Sequence, residues 1–203
     1  MLRYFVLVLV TLMAGAAAKA DTAVFAGGCF WCVEANFEGV SGVQDVISGY
    51  TGGKSANPTY DNHVGHYEAV QITFDPGKVS YDSLVAAFLR STDVTDAGGQ
   101  FCDRGESYRS AIFVAGPAQT SSAKAAVVAA QAALGATVVT PVLPAARFWR
   151  AEDYHQDYYK GTGLVLTRAG PKQQKNAYNF YREGCGRDSR IKALWGNQAM
   201  FLH

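Results

Sequence analysis

Hydrophobic and polar residues follow two different spacings along this chain, and the spacings predict a mixture of strands and helices. Between residues 67 and 74, Val70, Ile72 and Phe74 fall on every second position, as in a strand with one buried face. Between residues 81 and 90 the apolar residues lie three and four positions apart, as on one face of a helix. Strands are predicted at residues 22–26, 43–50, 67–74, 109–115 and 137–143, and helices at residues 29–37, 81–90, 118–134, 153–160 and 172–182.

The order of these elements predicts the fold class. It is β-α-β-β-α-β followed by a helix and a strand, which matches the split βαβ plan. We therefore expect an α+β protein: a ferredoxin-like two-layer α/β sandwich with a mixed β-sheet, helices on one face and a coil-rich C-terminal tail. Two polar segments, residues 51–66 and 91–107, are too long for ordinary connections, and such loops often carry function.

The first twenty residues have the three-part pattern of a secretory signal. A positive start ending at Arg3 precedes an apolar run over residues 4–18, and Ala18-Lys19-Ala20 offers a cleavage site. The run is shorter than the roughly 20 residues that span a bilayer, so an uncleaved anchor is the lesser alternative. We expect residues 1–20 to be a signal peptide and residues 21–203 to be one domain, exported to a compartment such as the periplasm.

Composition excludes two classes of protein. The 203 residues are 49% hydrophobic and 17% charged, which excludes intrinsic disorder. The formal net charge is +1, and Lys and Arg are scattered, so no nucleic-acid partner is expected. After the leader is removed, no association with a membrane is expected, and the protein is expected to be a monomer.

The most informative segment is Gly27-Gly28-Cys29-Phe30-Trp31-Cys32, where a predicted strand turns into a predicted helix. Cys29 would lie at the helix N-terminus, where free N–H groups and the helix dipole favour a thiolate and lower the thiol pKa. Phe30 and Trp31 would place two apolar surfaces beside that sulfur, which suits a small apolar substrate group.

Taken alone, the C-x-x-C spacing of Cys29 and Cys32 does not determine the reaction. The same spacing is the redox motif of thioredoxin-like proteins, so a thiol–disulfide oxidoreductase is the alternative function. A zinc-binding module is a third possibility, but Cys102 and Cys185 are single and distant. Four cysteines allow three fully paired connectivities, and the sequence leaves them open.

Several ordered motifs resemble those of the A-type methionine sulfoxide reductases, the peptide-methionine (S)-S-oxide reductases. The motifs are Gly28-Cys29-Phe30-Trp31, Gly49-Tyr50-Thr51-Gly52-Gly53, Asn57-Pro58-Thr59-Tyr60, Gly65-His66-Tyr67-Glu68, the block from Asp103 to Ala111, and Ala151-Glu152-Asp153-Tyr154-His155-Gln156. The resemblance implies that Cys29 attacks the sulfur of the S epimer of methionine sulfoxide and becomes a sulfenic acid, which condenses with a second thiol.

A sulfoxide oxygen leaves readily only when it is protonated or strongly hydrogen-bonded, so the site needs acid groups. The resemblance implies Glu68, Tyr60 and Tyr108 for this role, with Asp103 also in the pocket. If Glu68 is buried, its pKa would rise and it could carry the proton near neutral pH. Phe30 and Trp31 would hold the substrate methyl group.

The histidines and the electron donor complete what the resemblance implies. His66 and His155 are interpreted as hydrogen-bonding structural residues. Oxidised proteins or free methionine sulfoxide would be the substrates, a thioredoxin-like protein would be the reductant, and no metal or organic cofactor is expected.

Three departures from the family pattern affect these expectations. The loop at residues 61–65 is shorter than in many relatives, so Tyr60 would be presented differently. Cys102 stands where many relatives have Asn. Cys185 and Cys32 are the candidate resolving thiols, and Cys102 stays open as a further resolving or relay thiol. Cys185 is preferred because its glycine-flanked tail is predicted to be mobile, whereas a bond from Cys29 to Cys32 is expected to require the helix to loosen.

Overall fold

The computed structural model describes residues 20–203, and the predicted leader lies outside the described residues except for Ala20. The chain forms a six-stranded sheet and two small hairpins. The strands are β1 (Asp21–Gly27), β2 (Val43–Thr51), β3 (Tyr67–Phe74), β4 (Gly99–Gln100), β5 (Asp103–Arg104), β6 (Ser110–Val114), β7 (Val142–Pro144), β8 (Trp149–Arg150), β9 (Leu164–Thr167) and β10 (Gly170–Gln173). The helices are α1 (Phe30–Glu38), α2 (Tyr81–Arg90), α3 (Gly116–Leu134), α4 (Gln174–Gly184) and α5 (Arg187–Trp195).

The large sheet is mixed, as predicted. Its strand order is β7-β6-β1-β3-β2-β8, in which β6 and β7 are parallel and the other neighbours are antiparallel. The remaining strands form the hairpins β4–β5 and β9–β10. Among the helices in residues 20–203, none combines the length and apolar character needed to cross a membrane.

The main core lies between one face of the sheet and helices α1, α2 and α3. Phe25 on β1 and Val70 on β3 are paired in register and fully buried. Phe88 of α2 stacks on Phe25 with ring centroids 4.8 Å apart. Burying a side chain of this size stabilises the fold by about 1.5–3 kcal/mol. The opposite face carries a smaller apolar cluster around Phe113. Both faces of the central strands are therefore covered.

Strand β8 pairs with β2 at the edge of the sheet and brings the following segment over α1. Gly49 of β2 lies opposite Arg150, and a Cβ at Gly49 would overlap the backbone oxygen of Trp149 and the ring of Phe148. Only glycine permits this approach of the two backbones. The segment after β8 forms two short 3-10 turns, Asp153–His155 and Tyr158–Lys160.

The structure corrects two of the predicted secondary-structure elements. The strand predicted at 137–143 is only β7, because Thr140 bonds Ser110 through its side chain and the Val139 N–H goes to the carbonyl of Val94. The helix predicted at 153–160 is broken at Asp157, whose φ of 55° is left-handed. Residues 29–37, 81–90 and 118–134 are helical within one or two residues of the prediction.

The prediction of a coil-rich C-terminal tail is wrong. This region contains the hairpin β9–β10 and helices α4 and α5. Ala177 and Tyr178 of α4 and Ile191 and Trp195 of α5 are buried, so the region has apolar anchors of its own. The sequence Gly-Cys-Gly around Cys185 is the short connection between two packed helices.

Candidate active site

Cys29 lies at the junction between β1 and α1. Gly28 has a φ of 81°, and a Cβ there would come within 2.5 Å of the Gln100 Cβ atom, so glycine is required both by conformation and by space. Cys29 is the N-cap residue of α1 with φ −48° and ψ 115°, and it is partly exposed. The turn therefore presents the Cys29 sulfur at the start of the helix, as the sequence predicted.

Cys32 lies in the first turn of α1 and is buried. Its N–H donates to the Cys29 carbonyl at 3.0 Å, and the two thiols share a hydrogen bond. Cys29 stands outside the helix as its cap, so the helical backbone does not fix the direction of its side chain. Whether the helix must loosen before the two sulfurs can bond stays a prediction.

Glu68 on β3 is the acid group nearest the start of α1. Its side chain is buried, and its Oε2 accepts the Phe30 N–H at 3.1 Å. Burial raises the pKa of Glu68 to about 8, although the bond from Phe30 and the neighbouring Tyr108 hydroxyl oppose part of the rise. Glu68 is consequently protonated at neutral pH and can donate a proton inside the pocket.

The expected lowering of the Cys29 pKa by the helix N-terminus is wrong. The hydrogen bond with Cys32, burial, and the negative charges of Cys32, Glu68 and Asp103 raise the Cys29 pKa. The first helical N–H is used by Glu68 and is not directed at the sulfur. The pKa of Cys32 is lowered to about 6 by its bond from Cys29 and by nearby arginines. The pKa values of the two thiols are therefore moved apart, upward for Cys29 and downward for Cys32.

Two tyrosines come from different loops to the same pocket. Tyr60 is part of the loop between β2 and β3, and its N–H donates to Glu152 at 2.9 Å. Tyr108 ends a 3-10 turn just before β6. Burial and the charge of Glu68 raise the pKa of both phenols, so their hydroxyls stay protonated and can donate hydrogen bonds. Together with Glu68 they form what we term the acid wall of the pocket.

Phe30 and Trp31 line the pocket beside Cys29. Phe30 is almost fully buried and belongs to the main core as well. Trp31 stacks on Tyr158 with centroids 3.7 Å apart and an interplanar angle of 5°. Its Nε1–H donates to Nδ1 of His155 at 3.2 Å, which fixes the ring from its edge.

The two histidines have the structural contacts that were predicted for them. His66 accepts the Gly53 N–H at 3.3 Å and contacts Ser55. His155 is buried, and burial lowers its pKa to about 4, so it is neutral at physiological pH. It accepts from Trp31, and neither histidine lines the pocket around Cys29.

The segment from Glu152 to Lys160 holds several parts of the site in place, and sequence reasoning missed most of it. Glu152 accepts hydrogen bonds from the Tyr60 N–H and from the Tyr50 hydroxyl. Glu34 of α1 is buried and accepts the Asp157 N–H at 3.1 Å. Glu152 could have been found, because it lies inside one of the motifs shared with the family. The spacing of apolar residues in α1 gave no sign that Glu34 faces inward.

The other two cysteines form a disulfide between Cys102 and Cys185. Cys185 ends α4, and Cys102 is exposed between β4 and β5. Both line the same pocket as Cys29 and Cys32. In this state Cys185, the preferred resolving thiol of the sequence analysis, is already bonded, and Cys32 is the free thiol beside Cys29. The sequence did not determine this pairing.

Two buried arginines stand on the C-terminal side of the pocket. Arg182 of α4 forms an ion pair with Asp188 at 2.6 Å. Arg187 begins α5, is 3% exposed and donates to the Gly27 carbonyl at 3.0 Å. With Cys185 they form what we term the tail wall. Sequence reasoning missed both arginines because nothing in the local pattern distinguishes them from surface cations.

Every residue predicted for the site therefore lines one pocket. They are Cys29, Phe30, Trp31, Cys32, Tyr60, Glu68, Asp103, Tyr108 and Cys185. Within residues 20–203, Cys102, Asp103 and Cys185 are close enough to be considered as a metal site. Two of these sulfurs are bonded to each other, so they are not available as thiolate ligands in this state. The pocket combines a thiol pair, a protonated carboxyl group, four phenols and a disulfide.

Comparison with known proteins agrees with this arrangement. Residues 21–189 match the family model described as peptide methionine sulfoxide reductase. The chain is 49% identical over 190 residues to a peptide methionine sulfoxide reductase MsrA 2 of Rhizobium meliloti, covering 93% of this chain and 90% of the relative. It is 48% identical over 185 residues to an MsrA 2 of Caulobacter vibrioides, covering 89% and 88%.

Solved structures point the same way. Methionine sulfoxide reductase A of Corynebacterium diphtheriae superposes with a TM-score of 0.67 at 31% identity, covering 80% of this chain and 87% of that one. Reduced Mxr1 of Saccharomyces cerevisiae gives a TM-score of 0.65 at 26% identity, covering 70% and 85%. With the family model matched over most of the described residues, the chain belongs to the peptide methionine sulfoxide reductase family.

Proposed function

We propose that this protein reduces the S epimer of methionine sulfoxide, free or in oxidised proteins, to methionine. The observation that carries the proposal is the position of Cys29, at the cap of α1, in one pocket with the buried and protonated Glu68. A nucleophilic sulfur and a proton donor thereby line the same pocket, as reduction of a sulfoxide group requires. Family membership supports the same reaction.

In the first step the Cys29 sulfur attacks the sulfoxide sulfur while Glu68 gives its proton to the oxygen, and the proton of the Cys29 thiol passes to Glu68 in exchange. Methionine leaves, and the oxygen remains on Cys29 as a sulfenic acid. The substrate sulfur is reduced by two electrons, and the cysteine sulfur is oxidised by two. Tyr60 and Tyr108 donate hydrogen bonds to the oxygen as negative charge develops on it. Asp103, also in the pocket, adds negative charge near Cys29.

The substrate methyl group would be held against Phe30 and Trp31. The Trp31 ring is fixed on its face by Tyr158 and on its edge by His155, so it offers a rigid apolar surface. A rigid surface loses less side-chain entropy on binding than a mobile one. This arrangement supports recognition of a small thioether side chain.

The sulfenic acid then condenses with a second thiol and releases water. Cys32 and Cys185 are the candidates, and the bond between Cys102 and Cys185 supports a sequence in which a first disulfide passes its oxidation to a second. Cys102 is exposed whereas Cys32 is buried, so a protein reductant can reach the second disulfide more easily. We propose a thioredoxin-like protein as that reductant.

We also propose the finer points of location and architecture. The pattern of residues 1–20 supports export to the periplasm, with residues 21–203 as one monomeric domain. The strand order β6-β1-β3-β2, with antiparallel neighbours, supports a ferredoxin-like split βαβ unit at the centre of the sheet.

A C-x-x-C thiol–disulfide oxidoreductase is the second candidate function. The hydrogen bond between Cys29 and Cys32, with the pKa of one thiol lowered, favours it specifically. That function gives no role to Glu68, Tyr60 or Tyr108, which line the same pocket as Cys29. Methionine sulfoxide reduction uses all of them.

The test uses fully reduced protein without any recycling reductant. Each epimer of a methionine sulfoxide substrate is added, and the methionine formed and the thiols lost are counted. We expect methionine from the S epimer alone, with two thiols lost for each methionine. The Cys185→Ser variant shows whether a disulfide still forms without that thiol. If neither epimer gives methionine and the protein instead reduces a disulfide substrate, the oxidoreductase function is correct.

A further inference from the structure

Arg187 is a buried cation without a carboxylate partner among the described residues. Its guanidinium donates to the carbonyl oxygens of Gly27 at 3.0 Å and Ser91 at 3.4 Å, and it stands 4.2 Å from the centre of the Phe101 ring. These partners are neutral. Of the salt bridges in residues 20–203, none includes Arg187. Burying a charge is costly unless an opposite charge compensates it.

Arg182, the other arginine of the tail wall, has a different environment. It is paired with Asp188 at 2.6 Å and donates to the Tyr178 hydroxyl at 2.9 Å and to the Phe201 carbonyl at 2.7 Å. Its charge is therefore already compensated. Arg187 is the cation whose compensating anion has to be found in the pocket that it lines.

The anions near Arg187 are few. Asp103 is one, and Arg187 opposes the rise of its pKa. Cys32 is the other, and Arg187 is the first of the two arginines that lower its pKa. Cys32 is the more buried of the two anions, so water shields its charge less and the effect of Arg187 on it is larger.

The remaining groups around Cys32 do not supply a comparable attraction. Glu68 and Asp103 are acidic and disfavour a thiolate there. The Tyr178 hydroxyl is neutral, because burial and the charge of Cys32 raise its pKa. The hydrogen bond from Cys29 favours a thiolate, but it is lost once Cys29 has been oxidised. Once Cys29 is a sulfenic acid, the arginines are the remaining groups that favour a thiolate at Cys32.

We propose that Arg187 is a positioning residue that keeps Cys32 ionised, and that Cys32 is thereby the thiol that first resolves the oxidised Cys29. This rests on the proposed function, and it gives the first resolving step to Cys32 while Cys185 serves the second disulfide.

The step balances in atoms and electrons. The Cys32 thiolate attacks the Cys29 sulfenic sulfur, an S–S bond forms, the S–O bond breaks, and hydroxide leaves and takes up a proton to become water. The Cys32 sulfur supplies the electron pair of the new bond and is oxidised, the sulfenic sulfur of Cys29 is reduced by the same amount, and no further oxidant is required. The rate depends on the thiolate fraction of Cys32, which is the quantity that Arg187 controls.

The direct test measures the pKa of Cys32 in a Cys29→Ser background. With the Cys102–Cys185 disulfide intact, Cys32 is then the single free thiol, and its thiolate absorbance can be followed against pH. We expect a pKa well below the ordinary value of about 8.5. Adding Arg187→Met should raise it by at least one unit, which means about tenfold less thiolate at pH values well below the pKa. Arg187→Lys should retain most of the lowering, and Lys192→Gln, an exposed charge on the same helix, should leave it unchanged.

Two results would overturn the proposal. One is an ordinary pKa for Cys32 in the protein that keeps Arg187. This measurement needs no substitution at Arg187, so it tests the proposal even if the Arg187→Met protein does not fold. The other is an unchanged Cys32 pKa in a folded Arg187→Met protein together with a raised one in Asp103→Asn, which would show that Arg187 serves Asp103 instead.

A kinetic measurement separates this proposal from the proposed function. In a single turnover with Cys29 and Cys32 present, methionine formation and disulfide formation are followed separately. At a pH well below the pKa of Cys32, Arg187→Met should slow disulfide formation about tenfold, with sulfenic acid accumulating after methionine has been released. Equal rates of disulfide formation with and without Arg187 would contradict the role of Arg187 while leaving the reductase function intact. Absence of methionine from the wild-type protein would contradict the function itself.

Discussion

The acid wall and the tail wall line the same pocket as Cys29 and Cys32, and they have opposite effects on the charge of the groups near them. On the acid wall, burial and neighbouring charges keep Glu68, Tyr60 and Tyr108 protonated. On the tail wall, arginines favour a thiolate on the buried Cys32. The two sulfurs are only three residues apart in sequence, yet their pKa values are moved in opposite directions.

This difference explains how one small pocket can serve two reactions in sequence. The attack on a sulfoxide needs a proton at the oxygen, which a neutral acid wall supplies. Closure of a disulfide needs a thiolate, which a positive tail wall supplies. A uniformly acidic or uniformly basic pocket would favour one step at the expense of the other.

The largest expected effect comes from removing the sulfur between the two walls. Cys29→Ser should lower methionine formation by at least about 1000-fold, because the serine hydroxyl is a much weaker nucleophile at the same position. The fold should persist, since Cys29 is a cap residue that makes no side-chain capping bond. Methionine release from the S epimer measures the loss, and Cys102→Ser is the matched variant that should still release methionine. Full activity in Cys29→Ser would exclude the mechanism.

The next largest effect is on stability, because the Cys102–Cys185 disulfide ties the tail wall to the rest of the fold. The Cys102–Cys185 bond joins residues 83 positions apart, so reducing it should lower the free energy of unfolding by about 4 kcal/mol. The measurement is urea unfolding, with and without reductant, of a protein carrying Cys29→Ser and Cys32→Ser. Adding Cys102→Ser and Cys185→Ser gives a control that should not respond to reductant. An equal midpoint before and after reduction would show that the bond does not stabilise the fold.

On the acid wall, Glu68→Gln should slow single-turnover methionine formation by about 100-fold or more, because the amide cannot supply the proton. The wild-type rate should fall as pH rises through about 8, where Glu68 loses its proton. The variant should lack this fall. Rates measured on both sides of pH 8 test the assignment, and an unchanged rate in the variant would remove Glu68 from the acid role.

The same carboxyl group predicts a pH dependence of stability. Its folded pKa is raised above the unfolded value, so its contribution is fully present below the unfolded pKa and is lost as pH rises through about 8. Glu68→Gln should therefore gain stability relative to the wild type as pH is raised through that range. Thermal unfolding at several pH values measures the difference, and a constant difference would indicate that Glu68 is not protonated in the fold.

The smallest effect is expected at the apolar surface between the walls. Tyr158→Leu removes the ring stacked on Trp31 and should raise KM about 3- to 10-fold with little change in kcat, since a stacked pair contributes about 0.5–1.5 kcal/mol. Tyr159→Leu is the control, because Tyr159 bonds Glu38 and does not stack on Trp31. A KM that changes equally in both variants would show that the stacking does not position Trp31.

The acid wall was largely predictable from the sequence, and the tail wall was not. Glu68, Tyr60 and Tyr108 belong to motifs of adjacent residues, and strand and helix spacing placed β3 and α1 correctly. The acid wall thus depends on local patterns, which a single sequence displays directly.

The tail wall depends on tertiary contacts that a single sequence does not display. The glycines around Cys185 suggested a mobile segment, but buried residues on α4 and α5 hold it between two helices. The Cys102 pairing joins distant loops, and the Arg187 position follows from how α5 packs on β1. The thiol pKa was also wrong at Cys29, because helix position alone omitted the Glu68 side chain that takes the first N–H.

The close approach of β8 to Gly49 has a consequence for tolerance to mutation. Any replacement of Gly49 would place a carbon atom in the backbone of Trp149, although Gly49 does not line the pocket. Separation of β8 would displace the segment that carries Glu152 and His155, and with it the supports of Tyr60 and Trp31. A single substitution at Gly49, which does not line the pocket, would therefore inactivate the enzyme although every reacting side chain is unchanged.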